Sequence, residues 1–201
     1  MSLRDEIILE TMKLFSLKGY VNTGINEIIG TVGSSKGGFY NHFSSKEELF
    51  FEVLANSQRI WRVRVLDGLN QLESPLMKVI RLLENYRDHY LKDSENFPGG
   101  CIFVTLSVEL DDQYSGLAQE VNKGFIRLRN MLNKLLQEAK QAGELKQGVD
   151  TDRITEMIFS GMIGSSVQYG MEKSIVILDR SINALIDYLN EIHIDSRMPS
   201  T

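Results

Sequence analysis

One stretch limits what this chain can fold into more than any other. It runs from Thr23 to Lys46 and reads Thr-Gly-Ile-Asn-Glu-Ile-Ile-Gly-Thr-Val-Gly-Ser-Ser-Lys-Gly-Gly-Phe-Tyr-Asn-His-Phe-Ser-Ser-Lys. Ile25, Ile28 and Ile29 fall at i, i+3 and i+4, the apolar stripe of a short helix. Gly33 stands where the chain must turn sharply, a position expected to need positive φ. A second helix is predicted over residues 35–42, with Phe39 and Phe43 four apart on the face that locks into a core. Lys36, Gly37, Tyr40 and Asn41 are left pointing outward. Two short helices joined by a glycine-bearing turn make a helix-turn-helix, whose second helix is offered to the DNA major groove.

The outward face suits that role. Lys36 can donate to a phosphate or a base edge, and Tyr40 and His42 can reach phosphate oxygens, contacts that fix register without reading sequence. Ser35 opens the helix. Gly37 and Gly38 carry no side chain, so backbone can approach a duplex closely. Each glycine costs a helix about 1 kcal/mol relative to alanine, so access counts for more here than helix strength. Ser44-Ser45-Lys46-Glu47 reads as a capping box, with Ser44 as N-cap and Glu47 at N3. Lys46 then lies in the first turn of the next helix, where free N–H groups favour anions. From Ser34 to Lys46 the ionisable groups are Lys36, Tyr40, His42 and Lys46, with no acid among them.

Residues 4–54 resemble the DNA-binding domain of the TetR family of bacterial repressors. The resemblance is carried by Leu14-Phe15, Lys18-Gly19-Tyr20, Thr23, Ile28, Gly33, Ser35-Lys36-Gly37, Phe39-Tyr40, His42-Phe43 and Ser45-Lys46-Glu47-Glu48-Leu49. Three positions depart from the family pattern: Ser34 fills a slot that is usually apolar, Ile29 replaces a usual alanine, and Gly38 replaces a small hydroxyl or alanine residue. The resemblance implies that Thr23, Ser35, Lys36, Gly37, Gly38, Tyr40, Asn41, His42 and Lys46 contact DNA, with Thr23 near a phosphate. For Thr23 a plain capping or turn role is as good a reading.

Charge sets a limit on this expectation. The net charge is −5, and residues 1–50 hold six acids against five bases. Bulk electrostatic attraction to nucleic acid is therefore absent, and binding must rest on a local patch doubled by dimerisation. A single cysteine, Cys101, excludes an intrachain disulfide and fits a reducing cytoplasm. No apolar run approaches the roughly 18 residues of a membrane span, and the start of the chain shows no secretory pattern.

The rest of the chain reads as helix. Residues 4–18 carry Ile8, Thr11, Met12 and Phe15 at helical spacing, with Gly19 as the C′ residue. A long helix is expected from Ser45 to about Leu72. Ser74-Pro75 opens the next, with Leu76, Val79, Ile80, Leu83, Tyr86 and Tyr90 inward. Residues 92–100 are irregular. Helices are expected over 101–110, 117–142, 151–170 and 174–193, with a loose tail from Asp195. No strand alternation and no repeat occur. The expectation is an all-α protein of about nine helices. A three-helix DNA-binding domain (1–48) is joined through the long helix to a helical ligand-binding and dimerisation domain (49–201).

That second role is implied by the resemblance. Candidate effector-lining residues are Trp61, Tyr86, Tyr90, Cys101, Phe103 and Phe125, each of which also reads as ordinary core. Gly161, Gly164, Ser165, Ile182, Leu185, Ile186 and Leu189 are candidates for a four-helix homodimer interface. The expected function is a repressor that binds a pseudo-palindromic operator and is released by a small molecule. The alternative is a helical protein-interaction module that no longer binds DNA. There is no phosphate loop after a strand, no nucleophile elbow and no metal-ligand spacing, so neither catalytic residues, cofactor nor metal is expected.

Overall fold

The computed structural model describes residues 1–110 and 112–194; the expected loose tail from Asp195 lies outside them. Among the described residues it contains nine α-helices: α1 Leu3–Lys18, α2 Ile25–Thr31, α3 Lys36–Tyr40, α4 Lys46–Val65, α5 Pro75–Asn85, α6 Ile102–Glu109, α7 Ser115–Gln141, α8 Thr151–Glu172 and α9 Ile175–Ile192. Two compact units are formed. Met1–Val63 and Leu91–Gly124 make the first; Arg64–Tyr90 and the described residues from Phe125 onward make the second.

In the first unit, α1 buries Ile7, Ile8, Thr11, Met12 and Phe15, the stripe its spacing predicts. Ile28 and Ile29 of α2, Phe39 of α3, and Leu49, Phe50 and Val53 of α4 are buried in the same unit. Phe15, Tyr20 and Phe50 form an aromatic cluster, with Tyr20 edge-on to Phe15 at 5.6 Å and to Phe50 at 5.4 Å, arrangements worth about 1 kcal/mol beyond area burial. α6 lies against α1. Gly99 allows this approach, because a Cβ there would stand 1.8 Å from the Ser16 carbonyl oxygen.

α4 begins one residue later than the expected capping box. Ser45, not Ser44, caps it: the Glu48 N–H donates to Ser45 Oγ at 3.0 Å. The Glu48 carboxylate turns back to accept from Ser44 N–H at 2.7 Å and from its hydroxyl at 2.6 Å. α4 also ends at Val65, short of Leu72, because Gly68 adopts φ 71° and diverts the chain into a 3₁₀ turn over Leu69–Gln71. Asn85 seals that end by donating to the carbonyls of Val65 and Asp67 at 3.1 and 2.8 Å.

The second unit is built on α5, the C-terminal half of α7, α8 and α9. Ser74 caps α5 with Pro75 in its first turn, as the sequence predicts. Leu76, Val79, Ile80, Leu83 and Tyr86 are buried. Beyond Asn85 the helix widens into a π turn, Tyr86–Leu91, a distortion that helices seldom adopt. α8 and α9 pack as an antiparallel pair. A Cβ on Gly161 would lie 2.8 Å from a Leu185 methyl, so the glycine is matched to that leucine within one chain. Glu144 ties the loop before α8 to α5, accepting from Ser74 Oγ and Leu76 N–H, both at 2.9 Å.

Candidate nucleic-acid interface

The turn between α2 and α3 is built as its glycine requires. Gly33 has φ 63°. Ser34 N–H donates back to the Ile29 carbonyl at 3.0 Å. Ser35 caps α3, its hydroxyl accepting from Gly38 N–H at 3.1 Å. α3 is shorter than the predicted helix, spanning Lys36–Tyr40, because the chain begins to turn at Asn41. Phe39 and Phe43 are buried with ring centroids 5.7 Å apart. They pin α3 by one face and leave the other to solvent.

That other face gathers most of the residues singled out from sequence. Ser35, Lys36, Gly37, Tyr40, Asn41 and His42 are exposed and Gly38 is half-buried. Tyr40 is held edge-on against Phe39, centroids 5.2 Å apart, which fixes its direction while leaving it 53% exposed. Among the described residues Lys36 makes no ion pair. Its side chain is exposed.

Thr23 and Lys46 are placed differently. Thr23 is fully buried and donates its hydroxyl to the Gly19 carbonyl at 2.6 Å. Lys46 turns inward: Nζ donates to the carbonyls of Tyr20 at 2.7 Å and Thr23 at 2.8 Å. It also lies 4.1 Å from the Tyr20 ring centroid, a cation–π contact. Partial burial draws its pKa below the ordinary lysine value, offset by the negative field of Glu109. Burial likewise pushes the Tyr20 phenol up, with Glu47 and Tyr114 adding to it.

Two contacts were missed by sequence reasoning. Glu109, at the end of α6, accepts from Tyr20 N–H at 2.6 Å and Val21 N–H at 2.9 Å, across 89 and 88 residues of sequence. Ser34 directs its hydroxyl at Gly38: a Cβ on Gly38 would stand 2.4 Å from Ser34 Oγ. The signal for the second pair was present, since both residues depart from the family pattern.

The effector candidates are divided. Trp61, Cys101 and Phe103 belong to the first unit, and Tyr86, Tyr90 and Phe125 to the second. Cys101, Tyr86 and Tyr90 are buried; Trp61, Phe103 and Phe125 are half-buried. Tyr86 and Tyr90 stack at 5.6 Å, and the Tyr86 hydroxyl is hydrogen-bonded to Ser166. Of the dimerisation candidates, Ser165, Ile182 and Leu189 are buried within the chain, Gly161, Leu185 and Ile186 are half-buried, and Gly164 is exposed. The same helices expose Met157, Val167, Met171 and Tyr188, which sequence reasoning passed over. Met157, Gly164 and Met171 recur every seven residues, a period that could have marked them.

Among the described residues no group of His, Cys, Asp and Glu could hold a metal ion, and no helix is long and apolar enough to cross a membrane.

Residues 7–53 match the family model "Bacterial regulatory proteins, tetR family", and residues 75–185 match "Tetracyclin repressor-like, C-terminal domain". An uncharacterized HTH-type transcriptional regulator in the lacX 3′ region of Lactococcus lactis subsp. lactis is 34% identical over 137 residues, covering 67% of this chain and 66% of that protein. The HTH-type transcriptional repressor DhaR of Mycobacterium sp. (strain GP1) is 23% identical over 92% of this chain and 91% of its own. A TetR transcriptional regulator from Chloroflexus aurantiacus J-10-FL superposes with a TM-score of 0.85 at 26% identity, covering 95% of this chain and 96% of that one. With its N-terminal helices and its C-terminal helices both matched, this chain belongs to the TetR family of bacterial transcriptional regulators.

Proposed function

We propose that this regulator acts in the cytoplasm as a homodimeric repressor. It holds a pseudo-palindromic operator through two copies of α3 and releases it when a small molecule binds the C-terminal helices. The observation that carries the reading is the edge of α3. Ser35, Lys36, Gly37, Tyr40, Asn41 and His42 are exposed on a helix locked from behind by Phe39 and Phe43. With Gly38 they form a surface with no acid from Ser34 to Lys46. Its glycines let backbone meet a phosphate directly, and Lys36 supplies the charge. Thr23 and Lys46 serve this edge by fixing the turn beneath it.

Residues 1–48 are the DNA-reading part and 49–201 the effector-binding and dimerising part. Trp61, Tyr86, Tyr90, Cys101, Phe103 and Phe125 are the effector candidates. Effector and operator each weaken the other's binding, as linkage requires.

The test is titration of DNA from upstream of the protein's own gene against a scrambled duplex over a range of salt. Specific binding is expected for the first alone. Lys36→Ala should lower affinity and flatten the salt slope by about 0.9 for each copy. Equal binding of both duplexes, or a Lys36→Ala slope like that of the parent, would refute the assignment.

A further inference from the structure

The turn that links α1 to the helix-turn-helix is gripped from two sides. Past Gly19 the chain has left α1 and not yet entered α2. The N–H groups of Tyr20 and Val21 therefore have no helical partner. The Glu109 carboxylate takes both, at 2.6 and 2.9 Å, and also accepts from the Asn22 amide at 3.3 Å. From the other side the Lys46 ammonium takes the carbonyls of Tyr20 and Thr23. Carboxylate on the donors and ammonium on the acceptors hold one short peptide segment, and each charge lies in the other's field.

Two further observations show that this seat is built. Glu109 occupies the last turn of α6, where the helix dipole disfavours an acid; charge-assisted bonds to N–H donors offset that. Gly19 faces the carboxylate so closely that a Cβ would lie 2.2 Å from Glu109 Oε2. Its φ of 81° already favours glycine, but the missing side chain also opens the space the carboxylate fills. On the same side of α1, Gly99 N–H donates to Ser16 Oγ at 3.2 Å and Thr105 Oγ1 donates to the Ser16 carbonyl at 3.4 Å.

We infer that Glu109 is a positioning residue for operator binding, a latch by which α6 sets the DNA-reading edge through the Tyr20–Thr23 turn. Resting on the operator reading above, Glu109 holds the Tyr20–Thr23 turn from its N–H side, and without that carboxylate the turn is free there. Lys46 keeps hold of the turn's carbonyls, so the head loses its setting without unfolding. Glu109 itself touches no DNA.

The experiment uses the full chain with Glu109→Gln. The amide keeps the shape but offers one acceptor oxygen and turns an NH₂ toward a backbone N–H. Hydrogen exchange of the Tyr20 and Val21 amides should speed by about tenfold or more, with the amides of Phe39 and Val53 unchanged. Operator affinity should fall about 3- to 10-fold with the salt slope kept, the signature of lost positioning and not of a lost phosphate contact. Glu144→Gln removes a comparable carboxylate cap from α5 in the other unit, and should leave both readouts at parental values.

Exchange that quickens throughout the first unit, or an equal loss of affinity in Glu144→Gln, would mean a general stability effect and overturn the latch. If Glu109→Gln does not fold, Glu109→Asp, whose shorter arm cannot span both N–H groups, must show the same local exchange for the inference to stand. A parent protein that prefers no duplex refutes the operator reading; a parent that binds alongside an unaffected Glu109→Gln refutes the latch alone.

Discussion

Ser34 and Gly38 each look like a weakness when read singly: a hydroxyl in an apolar slot and a glycine inside a helix. Together they explain one another, since the Ser34 hydroxyl stands where a Gly38 side chain would begin. A double-mutant cycle tests the fit. Gly38→Ala should gain less than the full helix-propensity advantage of about 1 kcal/mol, because the new methyl displaces the hydroxyl. With Ser34→Ala in place the whole gain should appear, giving a coupling of about 0.5–1 kcal/mol in denaturant unfolding. Additive effects would show that the two substitutions arose independently of any steric need. Lys46 teaches a related lesson. Its place in the first turn of α4 suggested a phosphate contact, yet in the folded chain its ammonium is occupied by Tyr20 and Thr23. Sequence shows which residue is charged; only packing shows what the charge answers.

Among the elements, helix starts were the most legible. Ser35 and Ser74, which the sequence places at helix starts, cap their helices through side-chain oxygens, an interaction local enough to be read from a few residues; Asp150 and Ser174 do the same for α8 and α9, caps that sequence reasoning passed over. The slip at α4 is instructive, because Ser44 and Ser45 are equivalent by type and Glu47 and Glu48 are too. The structure uses Ser45 as cap and Glu48 as acid. This choice predicts a pH effect. Hydrogen bonds from the Ser44 hydroxyl and then its N–H lower the Glu48 pKa below its ordinary 4.5. A carboxyl lowered on folding contributes stability that is present above the unfolded pKa and lost as pH falls through the folded one. Glu48→Gln should therefore melt at a lower temperature than the parent near neutral pH, and the difference should close as the solution is acidified below 4.5. A gap that persists in acid would assign the effect to packing. The same linkage, with smaller leverage at a chain end, applies to Asp5, whose carboxyl is lowered by the Ser2 hydroxyl and N–H.

Across the whole molecule, the α8–α9 pair separates apolar residues buried within the single chain from apolar residues it leaves exposed. Ile182 and Leu189 are fully buried in the single chain, whereas Val167 is 40% exposed and Met171 79% exposed. Val167→Glu should leave the helical content and fold intact while shifting sedimentation from dimer toward monomer, and operator affinity should fall with it, since one head carries half the phosphate contacts. A dimer of undiminished strength would place the interface elsewhere. The apolar stripe of α9 marked Ile182 and Leu189 as buried without saying by what, because a helix face is hydrophobic whether it meets its own chain or another.

What the sequence determined by itself was everything carried by local periodicity and short-range chemistry. That covers about nine helices, the Ser74 cap of α5, the positive φ at Gly33, and an exposed edge from Ser35 to His42 backed by Phe39 and Phe43. What only the tertiary structure decided was which distant groups meet: Glu109 with the Tyr20–Val21 amides, Gly99 with Ser16, Gly161 with Leu185. The physical reason is range. Helix periodicity and capping act within about four residues along the chain, whereas a carboxylate finding two amide donors 88 and 89 residues away depends on how α6 is laid against α1.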